Sequence, residues 1–181
     1  MQIFMHPERL FHVCSAAFGG FMAVSTPKKE LYIRADDWMP VYLEMIEAGK
    51  EVRLSPTGYS MYPFLAGKRD EAVLTKVPTK LERGDICVFR RENGKYIIHR
   101  IHHIDKNGGI YMVGDAQSEL EGPLDKAQMV AFAKALVRKG KEVPCDDRLY
   151  RFKWKCWMLL RPVRPLIIRV FNFLRKLIRR K

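Results

Sequence analysis

Gly58-Tyr59-Ser60-Met61-Tyr62-Pro63-Phe64-Leu65 is the stretch on which the reading of this chain turns. A serine stands between a glycine two residues back and a proline three residues on. Gly58 permits a tight turn and a close approach by a substrate carbonyl. Pro63 stiffens the exit of the loop and ends strand pairing there. Backbone N–H groups at Tyr59 and Ser60 can then face a developing oxyanion. Taken alone, such a string is only a turn.

Two later stretches give it meaning, Ile98-His99-Arg100 and then Gly114-Asp115. A serine hydroxyl is a poor nucleophile at neutral pH and needs a positioned base. A histidine titrates near neutrality, so it can take that proton and return it to a leaving amine. A carboxylate behind the imidazole fixes its tautomer and steadies the imidazolium. The three places therefore read as one site, with Ser60 as nucleophile, His99 as base, and Asp115 or a nearby acid orienting the base.

The surrounding sequence reads as strands. Glu51–Leu54 alternates and delivers the chain to the Ser60 loop. Asp70–Val77 is the next strand, and Gly84-Asp85 opens another at Ile86–Arg90. Asn93-Gly94 marks a hairpin. In the strand Tyr96–Ile104, a period of two places Ile97, His99, Ile101 and His103 on one face. Ile98, Arg100, His102 and Ile104 fall on the other. His99 then points into a half-buried place, where a base with a tuned pKa can sit and where a satisfied core histidine also sits. Adjacent strand residues face opposite ways, so His102 and His103 are not read as a metal cluster. Lys106–Gly109 is a second turn, and Ile110–Val113 leads to Gly114-Asp115. Upstream, acids at Asp36 and Asp37 and a stop at Gly49 bracket one short helix, with Trp38, Val41, Tyr42, Met45 and Ile46 on its apolar face.

In this order the boxes resemble the type I signal peptidases and the self-cleaving domains of SOS-type repressors. Gly58-Tyr59-Ser60-Met61-Tyr62-Pro63 resembles their Gly/Ser-x-Ser-Met-x-Pro nucleophile box. Gly84-Asp85-Ile86-Cys87-Val88-Phe89 resembles the strand after it, and Gly114-Asp115 their Gly-Asp box. Val130–Val137 would be the closing strand, which is why Ala127–Val137 is read as strand despite a helical propensity. The resemblance covers roughly residues 50 to 140. His99-Arg100 looks like the His-Arg-Val box of the archaeal and endoplasmic-reticulum enzymes, in contrast to the lysine base of most bacterial ones.

The resemblance implies a Ser-His dyad, an acyl-enzyme, and a pocket for a small residue bordered by Met61. Gly58 replaces the serine whose hydroxyl helps form the oxyanion hole in many signal peptidases, which leaves the hole to backbone groups. In the histidine-type enzymes the third group is an Asp beyond the Gly-Asp box. Here Glu119, Glu121 and Asp125 stand beside Asp115 as candidates, and spacing does not choose among them.

Charge divides the chain. The net charge is +13, yet residues from Arg148 onward hold twelve Lys and Arg and no acid, leaving 21 basic against 20 acidic residues elsewhere. A nucleic-acid-binding body is therefore not suggested, whereas a basic tail is. The tail interleaves Tyr150, Phe152, Trp154, Trp157, Leu160 and Leu166 with cations. Its uncharged runs are too short to cross a bilayer, and Pro162 and Pro165 divide it into two helical pieces. That combination reads as a membrane-surface segment. A basic helix that packs back on the body or binds nucleic acid is the rival reading. The four cysteines have no Cys-x-x-Cys spacing, and neither zinc nor a disulfide framework is indicated. Leu10–Val24 is an apolar run readable as a signal-peptide core or weak anchor, or as an extension with Met22 a second possible start; the extension is preferred.

The expectation is thus a mainly β chain: a twisted, barrel-like antiparallel fold of the signal-peptidase kind with a short N-terminal helix and a basic amphipathic helical tail. Residues 1–34 are an N-terminal extension, 35–140 the peptidase-like domain, and 141–181 a linker and tail. The function expected is a serine endopeptidase acting on an extended signal or leader peptide, with no cofactor or metal, held peripherally at the cytoplasmic face of a membrane. The alternative is a non-enzymatic, membrane-docked module that keeps the fold.

Overall fold

The computed structural model describes Ile3–Phe4, residues 35–163, and residues 166, 169 and 170. The apolar run Leu10–Val24 and the tail beyond Val170 lie outside the described residues.

The described residues form nine strands and two α-helices: β1 (Ile3–Phe4), α1 (Ala35–Glu47), β2 (Val52–Pro56), β3 (Asp70–Thr75), β4 (Ile86–Arg90), β5 (Tyr96–Ile104), β6 (Ile110–Val113), β7 (Glu121–Leu124), β8 (Met129–Arg138), β9 (Lys141–Pro144) and α2 (Arg148–Leu159). All these strands join one antiparallel sheet in the order β1-β2-β3-β8-β4-β5-β6-β7, and β9 pairs with β8. Among the described residues the sheet is open: its end strands β1 and β7 do not pair. This corrects the barrel-like expectation, because closure requires the first and last strands to share hydrogen bonds.

Residues 86–89 of β4 and 96–101 of β5 are buried without interruption because both faces of the sheet centre are covered. On one face Ile86, Val88, Tyr96 and Ile98 join Leu54, Leu74 and Leu136 in the main core, which α1 covers with Met39, Tyr42 and Ile46. Val41, expected on the buried face of α1, is instead 41% exposed. On the other face Cys87, Phe89, Ile97 and Ile101 meet Ile110, Met112, Met129 and Leu81 in a second core. The period-two reading of β5 therefore holds from Ile97 to Ile101. Beyond that it fails. A register irregularity between Ile101 and His103 inserts an extra residue and re-aims the side chains. As a result His102 Nδ1 and His103 Nδ1 lie 2.8 Å apart, and His103 stacks on Tyr111. Among the described residues no cluster of three or more metal-ligating side chains forms.

The largest departure from expectation is α2. Its Asp147 side chain accepts from Tyr150 N–H at the helix start, a standard N-cap. Tyr150, Trp154 and Met158 then enter the main core. The first part of the expected membrane-surface tail thus packs on the body. Its approach depends on Gly84 (φ +101°), where a Cβ would lie 2.1 Å from the Trp154 ring. The linker expected from residue 141 onward begins with β9, and the stretch after Asp115 ends in β7. No helix among the described residues is long and apolar enough to cross a membrane.

Candidate active site

Ser60 lies in the turn that follows β2, half-buried, between exposed Tyr59 (64%) and fully buried Met61. Successive backbone bonds, Tyr62 N–H to Tyr59 O and Leu65 N–H to Met61 O, wind this stretch tightly. Met61, Phe64 and Leu65 anchor it in the main core.

The loop after β6 grips the serine from the other side. Ala116 N–H donates to the Ser60 carbonyl at 2.8 Å. Gly114 makes room for this contact: a Cβ there would lie 2.7 Å from the same carbonyl oxygen and 2.5 Å from Gln117 Oε1. The Gly-Asp box thus acts first as a close-approach site for the serine turn.

His99 projects from β5 into the wall of a cleft of about 420 Å3, lined also by Arg91, Gln117, Ser118, Glu119, Leu120 and Glu121. Ser60, Tyr59 and Met61 are not among the residues lining this cleft, and Met61 is a core residue. The imidazole is only 5% exposed and sits 6.1 Å from the Phe89 ring. Burial lowers its pKa to about 4; the nearby Glu121 carboxylate opposes that shift and the Arg91 guanidinium adds to it. The ring is therefore neutral at pH 7, the form that can accept a proton. Its Nδ1 is buried without a hydrogen-bond partner.

Asp115 does not serve that nitrogen. Its carboxylate accepts from Arg100 Nε at 2.8 Å and from Arg100 Nη2 at 2.7 Å, and both side chains are fully buried. Arg100 also donates to the Gly84 carbonyl and the Tyr150 hydroxyl, while the rings of Phe64, Trp154 and Tyr150 surround its guanidinium at 5.3–5.7 Å. Burial alone would disfavour the charge; Asp115 and Tyr150 more than offset it, so the guanidinium stays protonated. Asp115 is corrected from an orienter of His99 to the counter-ion of Arg100.

Of the remaining acids, Glu119 and Glu121 line the His99 cleft and Asp125 does not. Asp125 opens a short 3-10 turn, where its N–H donates to Gln128 Oε1. Glu121 is held by Arg91 through a two-bond ion pair. Sequence reasoning missed Arg91. It reaches Glu121 only because the β4–β5 hairpin and β7 flank the same cleft, a relation that spacing does not carry.

Trp157 on α2 and Arg161 in the 3-10 turn just beyond it complete the frame. Trp157 Nε1–H donates to the Asp115 carbonyl at 2.6 Å, and Arg161 donates to the Ser118 carbonyl. The 114–121 segment is thus common to every part of the site. Its start holds Ser60, its middle is held by α2, and its end forms the cleft with His99. A separate cavity of about 460 Å3 between β8, β9 and α2 is lined by Gly84, Asp85, Lys134, Cys145 and Arg151, and by none of the expected site residues.

No family model, curated protein or solved structure matches the chain.

Proposed function

We propose that the chain is a serine endopeptidase of the signal-peptidase type that cuts an extended signal or leader peptide. The observation that carries this reading is a buried, neutral imidazole, His99, in the wall of a cleft built by the same segment that grips the Ser60 turn. A substrate strand would add along a sheet edge beside the Ser60 loop. Ser60 Oγ attacks the scissile carbonyl as His99 takes its proton. Backbone N–H groups at Tyr59–Ser60 hold the oxyanion. The C–N bond breaks as His99 returns the proton to the leaving amine. Water, deprotonated by His99, then releases the acyl group and regenerates the serine. Glu121, the carboxylate whose charge favours the imidazolium of His99, steadies the charge that forms there in place of Asp115. The site of action is the cytoplasmic face of a membrane.

One observation favours the second reading, a non-enzymatic membrane-docked module: His99 Nδ1 has no partner to fix the tautomer. Protein N-termini compared by mass spectrometry in cells carrying the native chain or Ser60→Ala, at equal expression, separate the two. Loss of a defined set of N-termini in the variant supports the peptidase, and the residues before those cuts identify its substrates. Unchanged N-termini with the folded variant present reject it.

A further inference from the structure

α2 is apolar in two opposite directions. Its inner side chains, Tyr150, Trp154 and Met158, are buried at helical spacing. On the outer side Leu149, Phe152 and Leu159 are 60%, 65% and 77% exposed, and Leu160 and Val163 continue the strip at 43% each. Residues 149, 152 and 159 recur at i, i+3 and i+10, so they share one face roughly opposite Trp154. A helix that served only to cover the body would turn a polar face outward. The exposed cations Arg148, Arg151, Lys153 and Lys155 border the apolar strip on both sides, and no acid occurs from Arg148 onward.

We propose that this outer face of α2 docks on an anionic lipid surface. An apolar centre with cationic margins is what a bilayer interface accommodates: the side chains enter the headgroup–acyl boundary and the cations meet lipid phosphates. Each cation near such a surface adds to the attraction. Nucleic acid would require cations at the centre of the face, where Phe152 and Leu159 stand. A second copy of the chain packed face to face would bring the cationic margins against each other. Docking also sets the height of the cleft. Trp157 of α2 and Arg161 just beyond it reach Asp115 and Ser118, so this loop lies about one helix diameter, ~10 Å, from the lipid plane. That consequence rests on the peptidase reading; the docking itself does not.

The test uses the full chain carrying Ser60→Ala, which separates docking from proteolysis. Flotation is measured with vesicles of phosphatidylcholine alone and of phosphatidylcholine with phosphatidylglycerol. Binding to the anionic vesicles is expected to exceed binding to the neutral ones at least tenfold. It is expected to fall at least tenfold in Phe152→Ser/Leu159→Ser, while circular dichroism and thermal unfolding stay unchanged because both side chains are exposed. Equal binding of that double variant overturns the proposal, since other residues then carry the affinity. So does an absence of binding by the parent chain. Self-association that Phe152→Ser/Leu159→Ser abolishes, without vesicle binding, also overturns it and assigns the face to a second copy. Vesicle binding that depends on these two residues stands even if the N-terminus comparison rejects the peptidase.

Discussion

Arg100 on β5 and Asp115 beyond β6 form a two-bond, side-on ion pair that solvent does not reach. Arg100 immediately follows His99, so the pair fixes the back of the strand whose front carries the candidate base. Phe64 of the serine turn lies against the same guanidinium. One charge therefore ties the Ser60 turn, β5, the Gly114–Glu121 segment and α2 together. Removing one partner leaves the other buried and uncompensated, at a cost of roughly 3–5 kcal/mol. Asp115→Ala is expected to lose about that much in urea unfolding, and Arg100→Met/Asp115→Leu clearly less than the sum of the single changes. Strict additivity would show that the two side chains do not act as a pair.

His99 makes stability depend on acid. Its pKa is lowered from 6.5 to about 4 in the folded chain, so the unfolded chain binds more protons between those values. Stability from this group is complete above about 6.5 and is lost as pH falls toward 4. The full difference corresponds to ~3 kcal/mol. His99→Gln is expected to flatten the unfolding free energy between pH 6.5 and 4. In the native chain the acid limb of peptide cleavage is expected near pH 4, and a limb near 6.5 would mean that the imidazole is solvated during turnover.

Arg91 and Glu121 act on that imidazole in opposite directions. The guanidinium lowers the His99 pKa and the carboxylate raises it. Arg91→Gln is expected to move the His99 titration upward and Glu121→Gln to move it downward. Both shifts are readable in the ring resonances by NMR whether or not the chain cleaves peptides. Movement of the two variants in the same direction would show that the ion pair acts through loop position and not through charge.

Gly114 is expected to tolerate no side chain. A Cβ would meet the Ser60 carbonyl at 2.7 Å, and a backbone atom cannot swing aside as a side-chain end can. Gly114→Ala should therefore displace the serine peptide. A misplacement of about 1 Å lowers turnover on the order of 100-fold. The effect is checked by kcat on a peptide matching the cuts lost in Ser60→Ala. Native kcat in Gly114→Ala would separate this contact from the chemistry.

The central strands were legible because their signals are local. Asn93-Gly94 sets the β4–β5 hairpin, and the run Tyr96–Ile104 coincides with β5. Alternation also separated His99 from Arg100 correctly. What remained hidden depends on register and packing. Asp115 meets Arg100 only once β5 and β6 are aligned, and no spacing rule favours that pairing over one with His99. The bulge after Ile101 brings His102 and His103 together against the simple alternation. In α2, Tyr150, Trp154 and Met158 recur every four residues, which is a packing signal. The equally apolar outer strip of Leu149, Phe152 and Leu159 masked it. β9 carries the charged residues Lys141 and Glu142 at an edge, where a strand reads as a loop because charge is the usual protection of an edge.

The position of β8 governs how the chain is made. It pairs with β3, β4 and β9, yet it is translated after β1 to β7. Until Met129–Arg138 leaves the ribosome, β3 and β4 each present an unpaired edge lined by Val73, Leu74, Val88 and Phe89. Such edges template association with other chains, and pairing across so long an interval is slow. Nascent chains stalled before Met129 should therefore be clients of holdase chaperones. The serine turn is synthesised before β8, yet Met61, Phe64 and Leu65 pack in a core completed by Ala131, Ala133 and Leu136 of β8, so the turn acquires its final setting only after β8 has been made.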